Sequence, residues 1–390
     1  MANFNSTIAL FTGYVLKRGV HPNQLTMSGG DKKFIELARR WPEDLPPLHI
    51  VTAPCGERLL QSEGVAATVR CLPHTPAEGL GIIPSYLTRL LTSATILPPL
   101  LSATLIYSSS DTLPAIAAPF VAKVLRRKPR WIACLYHLIP PPEQRPGKRA
   151  WNRLSYLAQR LALTLLRRAD LIVVDNSALR DDLAHLGFDR ENIFVCSMGV
   201  SLPAPTPPVD LQDYDACFLG RVHPAKGIFD LIEIWDAVRR MRPVARCAVI
   251  GDDSDLKGPI ADEIARRGLE KHLDFLGFLP QREVSETFAR SKLFVLPSRE
   301  EGWGIAIAEA MAAGLPAILY DLPAFRNLYT SGVEKIPCFS TAAYAHAIVR
   351  LLEDPSRRES LSREAKLLSA TFSWDETTGR EFDCLRALLH

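Results

Sequence analysis

Short apolar runs recur along the chain and alternate with stretches in which apolar positions return every three or four residues. The runs at 7–11, 48–52, 103–108, 131–136, 171–175 and 192–196 predict strands, and 32–40 and 177–186 predict helices. A loop holding Gly13, Gly19, Gly29 and Gly30 separates the first strand from the first helix. After residue 208 the same grammar restarts. Strands are expected at 216–222, 245–251, 273–279, 292–297 and 316–321, and helices at 228–241, 259–267, 282–291 and 304–313. Strands alternating with helices are the pattern of βαβ units, so each half predicts a doubly wound parallel sheet. Between the halves residues 201–208 read Ser-Leu-Pro-Ala-Pro-Thr-Pro-Pro. Proline stiffens such a segment and cannot serve a central strand, which makes it a linker. The expected division is a first domain over 1–200, a linker over 201–215 and a second domain over 216–370. A C-terminal helix over 371–390 is expected to cross back to the first domain.

Composition narrows this picture. A chain of 390 residues is long enough for two cores, and 47% apolar with 23% charged residues excludes disorder as the default. The N-terminal residues carry no basic stretch and no small-residue cleavage site, so no secretory signal is expected. The longest uncharged stretch, 90–110, contains Pro98-Pro99 with several Ser and Thr and predicts a short helix followed by a buried strand. Eight scattered cysteines without a C-x-x-C pair read as small core residues of a reducing compartment. The net charge of +3 hides an asymmetry: residues 1–200 carry a basic surplus and the remainder an acidic one. A basic half points to an anionic partner.

Two strand-to-helix turns carry the candidate chemistry. Residues 298–314 read Ser-Arg-Glu-Glu-Gly-Trp-Gly-Ile-Ala-Ile-Ala-Glu-Ala-Met-Ala-Ala-Gly, a Gly-rich turn after a strand with a helix starting near Gly304. The free backbone N–H groups at such a helix start suit diphosphate oxygens. Glu301 lies just outside the helix, where it could equally cap it, and Glu309 lies more than a turn inside. In Phe218-Leu-Gly-Arg-Val-His-Pro-Ala-Lys-Gly-Ile-Phe229, Arg221 and Lys226 share a second such turn. Two cations there can clamp a diphosphate, Arg as a fork of donors and Lys as a point charge, or remain solvated.

The two motifs, in this order and spacing, resemble the retaining GT-B glycosyltransferases of family 4, the group 1 family. That pattern is G-R-x4-K-G, then E-x7-E enclosing E-G-x-G, then E-A-M-A-x-G-x-P. Here it reads Gly220-Arg221 to Lys226-Gly227, Glu301 to Glu309, and Glu309-Ala-Met-Ala-Ala-Gly-Leu-Pro316. Gly251-Asp252 and Gly277-Phe-Leu-Pro280 fit as well. In the first half Gly29-Gly30 resembles the family's Gly-rich loop below the donor phosphates, and Tyr136-His137 its strand-end histidine. Asp253, Met198, Ser201 and the Gly29-Gly30-Asp31-Lys32-Lys33 loop depart from the pattern.

The resemblance implies a GT-B fold of two Rossmann-like domains facing a central cleft, and transfer of a sugar from a nucleotide-diphosphate sugar with retention of configuration. It implies that Gly220, Arg221, Lys226 and the amides of Gly302, Trp303 and Gly304 hold the diphosphate. Glu301 and His137 would contact the transferred sugar, and Glu309 the ribose. Cations and helix-end amides would replace a metal ion in neutralising the leaving group, so neither metal nor cofactor is expected.

For the acceptor the sequence offers charge. Residues 121–168 hold 12 Lys or Arg against Glu143 alone, clustered at Arg126-Arg127-Lys128-Pro-Arg130-Trp131, Lys148-Arg149-Ala-Trp151-Asn-Arg153 and Arg167-Arg168. Basic residues with Trp beside apolar runs suit an anionic membrane surface, and a solvated basic face is the alternative. No recognition motif for nucleic acid accompanies the charge. The expectation is a cytoplasmic protein, peripheral on the membrane, with a glycan or lipid-linked acceptor. Alternatives are an inverting GT-B enzyme with His21 as base, a sugar-nucleotide epimerase, and a noncatalytic nucleotide-sugar-binding protein. No G-x-G-x-x-G follows either opening strand, which weighs against an NAD oxidoreductase.

Overall fold

The computed structural model describes residues 6–11, 27–72, 82–126, 128–145, 149–201, 213–252 and 256–390. The chain forms two compact units, Met1–Met198 with Trp374–His390, and Gly199–Ser373. The stretch 202–212, most of the expected linker, lies outside the described residues, as do His21 and Asp253.

The first unit is a seven-stranded, all-parallel sheet. In chain order its elements are β1 (Thr7–Leu10), α1 (Gly29–Arg39), β2 (Leu48–Thr52), α2 (Pro54–Ser62), β3 (Thr68–Cys71), α3 (Ile82–Ser93), α4 (Leu97–Ser102), β4 (Leu105–Ser108), α5 (Leu113–Leu125), β5 (Arg130–Leu135), α6 (Arg149–Leu166), β6 (Leu171–Val174), α7 (Ser177–His185) and β7 (Ile193–Val195). Its strand order is β3-β2-β1-β4-β5-β6-β7. Covered on both sides, the central strands are buried throughout, which is why they read as unbroken apolar runs. One face packs Ile96, Leu100, Ile116, Leu163 and Leu179 from α4–α7 and the turn before α4, and the other packs Phe34, Leu37, Leu59 and Phe382.

The second unit is a six-stranded parallel sheet of order β10-β9-β8-β11-β12-β13. Its elements are β8 (Ala216–Leu219), α8 (Ile228–Met241), β9 (Cys247–Ile250), α9 (Lys257–Arg267), β10 (Leu273–Gly277), α10 (Gln281–Ala289), β11 (Phe294–Leu296), α11 (Ile305–Ala312), β12 (Ala317–Tyr320), α12 (Pro323–Arg326), β13 (Val333–Ile336), α13 (Thr341–Glu353) and α14 (Pro355–Ser369). Trp235, Phe218, Phe294, Tyr320 and Tyr344 are fully buried in its core.

The last helix, α15 (Trp374–Leu389), belongs to the first unit. It sets Phe382 and Leu385 on the α1 face of that sheet and carries Glu381 into the interior. There Glu381 accepts a hydrogen bond from the Tyr107 hydroxyl (2.5 Å) and lies 3.2 Å from the Lys33 ammonium, both side chains of the ion pair being 1% exposed. Lys33 also donates to the Cys196 carbonyl at 2.9 Å.

Three expectations are corrected. Trp131 is not a surface residue: β5 buries it completely, with its ring N–H on the Ser108 hydroxyl at 3.0 Å. Gly29 and Gly30 form the first turn of α1, not a loop, because Ser28 and Asp31 close a capping box around them. All eight cysteines are free and five are buried, but Cys338 is exposed.

Candidate active site

In an open parallel sheet a crevice forms at the carboxyl ends of two neighbouring strands whose connections run in opposite directions. In the second unit those strands are β8 and β11. The turn after β8 holds Arg221 and Lys226, and the turn after β11 holds Glu301, Gly302 and Trp303. The two motifs, 80 positions apart in sequence, therefore face one crevice.

The first turn is a short 3₁₀ segment, Pro224–Lys226, begun by His223, whose Nδ1 accepts the Ala225 N–H at 3.1 Å. Gly227 ends it at φ 72°. A Cβ on Gly227 would lie 1.8 Å from the Pro297 carbonyl oxygen, so glycine lets the two turns touch. Gly251, after β9, meets Gly220 in the same way, at 1.9 Å from its carbonyl oxygen. The second turn is hung on the first by the amides of Arg299 and Glu300, which donate to the Ala225 carbonyl at 2.9 and 3.2 Å.

Lys226 forms an ion pair with Glu301, and the Ser298 hydroxyl reaches the same carboxylate at 3.4 Å. Arg221 is exposed and has no carboxylate partner among the described residues. Gly304 starts α11 at φ 83° with no side-chain cap and no acidic residue in the first turn. The helix thus starts at the crevice without a side-chain cap or an acidic first turn of its own. Glu309 lies inside α11 and is 9% exposed. Trp303 is 2% exposed, its ring against Tyr329 and Phe372, so its side chain is core.

Sequence reading missed the residues that brace these turns. Arg299 makes a forked contact with Asp230 of α8 at 2.8–3.1 Å, and Asp230 also accepts the Tyr320 hydroxyl at 3.1 Å. The Tyr329 hydroxyl donates toward the Trp303 and Gly304 carbonyls, each at 3.0 Å. Arg299 adjoins the motif but fits none of its fixed positions, and nothing in local sequence ties it to Asp230.

In the first unit the corresponding strands are β1 and β4, with β5 next to β4. His137 is exposed two residues past the end of β5. Gln159 of α6 donates to the His137 carbonyl at 2.9 Å and to Asp111, beyond β4, at 2.8 Å, and it accepts the Ile139 N–H at 2.6 Å. Burial raises the Asp111 carboxyl above its ordinary range, while Gln159 and the nearby His137 pull it back. Gly30 sits against the Tyr136 ring, which a Cβ would meet at 2.4 Å. Packing therefore accounts for that glycine. Among the described residues no three of His, Cys, Asp and Glu cluster to hold a metal ion.

Residues 206–368 match the sequence profile of the glycosyl transferases group 1 family. A D-inositol 3-phosphate glycosyltransferase of Jonesia denitrificans is 27% identical over 214 residues, 48% of this chain and 50% of that one. An O-antigen chain mannosyltransferase B of Escherichia coli is 26% identical over 265 residues, 63% of this chain and 67% of its own. The chain thus spans about half to two thirds of the length of these relatives. Among solved structures, Anabaena HepE in complex with UDP and glucose superposes with a TM-score of 0.75 at 18% identity, over 98% of this chain and 99% of that one. The fold is GT-B.

Proposed function

We propose that this chain, which has the GT-B fold and whose residues 206–368 match the glycosyl transferases group 1 family, moves a sugar from a nucleotide-diphosphate sugar to a glycan acceptor with retention of configuration and without a metal ion. The carrying observation is the crevice between β8 and β11, where Arg221, Lys226 and the uncapped start of α11 meet. In the transfer the bond from the anomeric carbon to the diphosphate oxygen breaks and the leaving nucleotide keeps the electron pair. The acceptor hydroxyl oxygen bonds the same carbon on the same face, and its proton passes to the departing phosphate. Positive groups fixed beforehand where that charge develops lower the barrier most. Arg221 and Lys226 supply two of them, and Gly302, Trp303 and Gly304 supply amides. Glu301, held by Lys226, orients the sugar hydroxyls, and Glu309 holds the ribose.

The acceptor we infer is an envelope-glycan intermediate, lipid-linked or polysaccharide, handled in the cytoplasm. The O-antigen mannosyltransferase among the relatives supports that class. Thermal unfolding with UDP, GDP and ADP tests the donor site, because a ligand at 100 times its Kd stabilises by about 2.7 kcal/mol. One of the three should raise Tm in the wild type and fail to do so in Arg221→Ala/Lys226→Met. If none does, or if the double variant responds equally, the reading falls. Turnover that depends strictly on a divalent ion would remove the metal-free step, and an inverted anomeric product would remove retention.

A further inference from the structure

Helix α6 buries Ala162, Leu163 and Leu166 together with the polar Asn152 and Gln159, yet it leaves Trp151, Leu154, Leu157 and Leu161 exposed along its outer side. Leucines half exposed at helical spacing form a stripe and are not isolated surface residues. Helix α5 packs between α3 and α6 on the same face of the first sheet, and it too turns Val124 and Leu125 outward, as α3 does Leu91 at 75% exposure.

The cations around this face are densely set and lack the carboxylate partners that many arginines of the molecule have. Arginines elsewhere are commonly engaged by carboxylates, as are Arg39, Arg40, Arg239, Arg267, Arg290 and Arg299. Arg126, Lys128, Arg149, Arg153, Arg160 and Arg168 are exposed and have no such partner among the described residues. Not every basic residue of the segment takes part. Arg130 lies near Asp170, and Arg167 is spent on the Leu186 and Gly187 carbonyls and the Phe188 ring. Arg127 and Lys148 lie outside the described residues.

We propose that the outer face of α3, α5 and α6 docks on an anionic lipid bilayer, with Trp151 and the leucines entering the interface and the unpaired arginines meeting headgroups. Two rival occupants fit the chemistry less well. A second copy in a twofold contact would set this cationic stripe against itself. A nucleic acid would leave the leucines without a partner. Docking bears on the acceptor through Gln159, which sits on the inner side of α6 and holds the His137 backbone. A lipid-linked acceptor could then reach the first unit without leaving the surface. The docking itself does not rest on the proposed transfer.

Flotation of the full chain with vesicles of phosphatidylcholine, with and without phosphatidylglycerol, tests it. The wild type should float with the anionic vesicles and less so as salt rises. Arg153→Glu/Arg160→Glu should lower partitioning on the order of 100-fold, and Leu154→Glu/Leu157→Glu should abolish it. Tm and stabilisation by the nucleoside diphosphate should stay at wild-type values in both, which keeps this test separate from that of the donor site. Failure of the wild type to float at low salt overturns the proposal, as does equal flotation of the variants. A wild-type dimer made monomeric by Leu154→Glu/Leu157→Glu, with no flotation, overturns it too.

Discussion

A methyl group on Gly227 would fall 1.8 Å from the Pro297 carbonyl in a left-handed backbone, whereas one on Gly268, at φ 66°, would meet nothing within 4 Å. Gly227→Ala should therefore lose both stability and nucleotide binding. Gly268→Ala should cost only the backbone strain, about 1–2 kcal/mol, with binding intact. Thermal unfolding with and without nucleotide separates the two. Arg221, exposed and without a carboxylate partner among the described residues, has little folding role to lose. Arg221→Ala should keep Tm while turnover falls roughly 100- to 1,000-fold, and Glu301→Ala should fall as far in turnover. Turnover within about tenfold of wild type in both would remove the mechanism. Asp111 gives a pH test. Its folded-state pKa is raised above 3.8, so its contribution is fully present below that value and declines as pH rises through the folded value. Asp111→Asn should flatten stability against pH in that window without lowering Tm at neutral pH. The motif residues Gly220, Arg221, Lys226, Gly227 and Glu301 were legible because a fixed backbone turn needs those residue types at those places. Asp111 and Gln159 were not, since their roles exist only once β4, β5 and α6 are adjacent.

Elements place these residues by holding two turns together. Arg299→Ala would strand Asp230, 6% exposed, without its ion partner and should cost about 3 kcal/mol, with a raised KM for donor because the 298–304 turn loosens. Tyr329→Phe should cost about 1 kcal/mol and also weaken donor binding. The helix predicted at 228–241 matches α8, and 304–313 differs from α11 by one residue at each end, since strong apolar periodicity and glycine punctuation mark them. Strands β3 and β13 went unseen. Both are edge strands of four residues with polar members and only partial burial, so no apolar run announces them. Helix α14 was also missed: it buries only Leu361, Ala365 and Ser369, too narrow a stripe to stand out.

At the scale of the molecule the chain leaves its first unit at residue 198 and returns at Trp374. The return is fastened by Glu381 with Lys33 and Tyr107. Burial, the largest single influence, would depress the Lys33 pKa, but the Glu381 carboxylate together with the Cys196 and Cys134 thiols outweighs it and the net shift is upward. The pair's contribution is thus present below the ordinary lysine value of 10.5 and lost as pH rises through the folded value. Glu381→Ala would leave a buried unpaired ammonium and should cost about 3–5 kcal/mol, and Lys33→Met added to it should recover much of the loss. Denaturant unfolding of the single and double variants measures both. Equal stability of Glu381→Ala and wild type would mean the helix is held by Phe382 and Leu385 alone.

Two doubly wound parallel sheets and the two Gly-rich strand-to-helix turns were determined by sequence alone, because apolar period and turn chemistry are local properties, whereas the order of the strands came only with the fold. Tertiary structure decided which charges are spent and which remain. Lys33 and Glu381 are 348 positions apart and Asp230 and Arg299 are 69 apart, and each pair is defined only by folding. Trp131 shows the same dependence: beside arginines in sequence it reads as surface, yet a parallel sheet covered on both faces has room for its ring only inside.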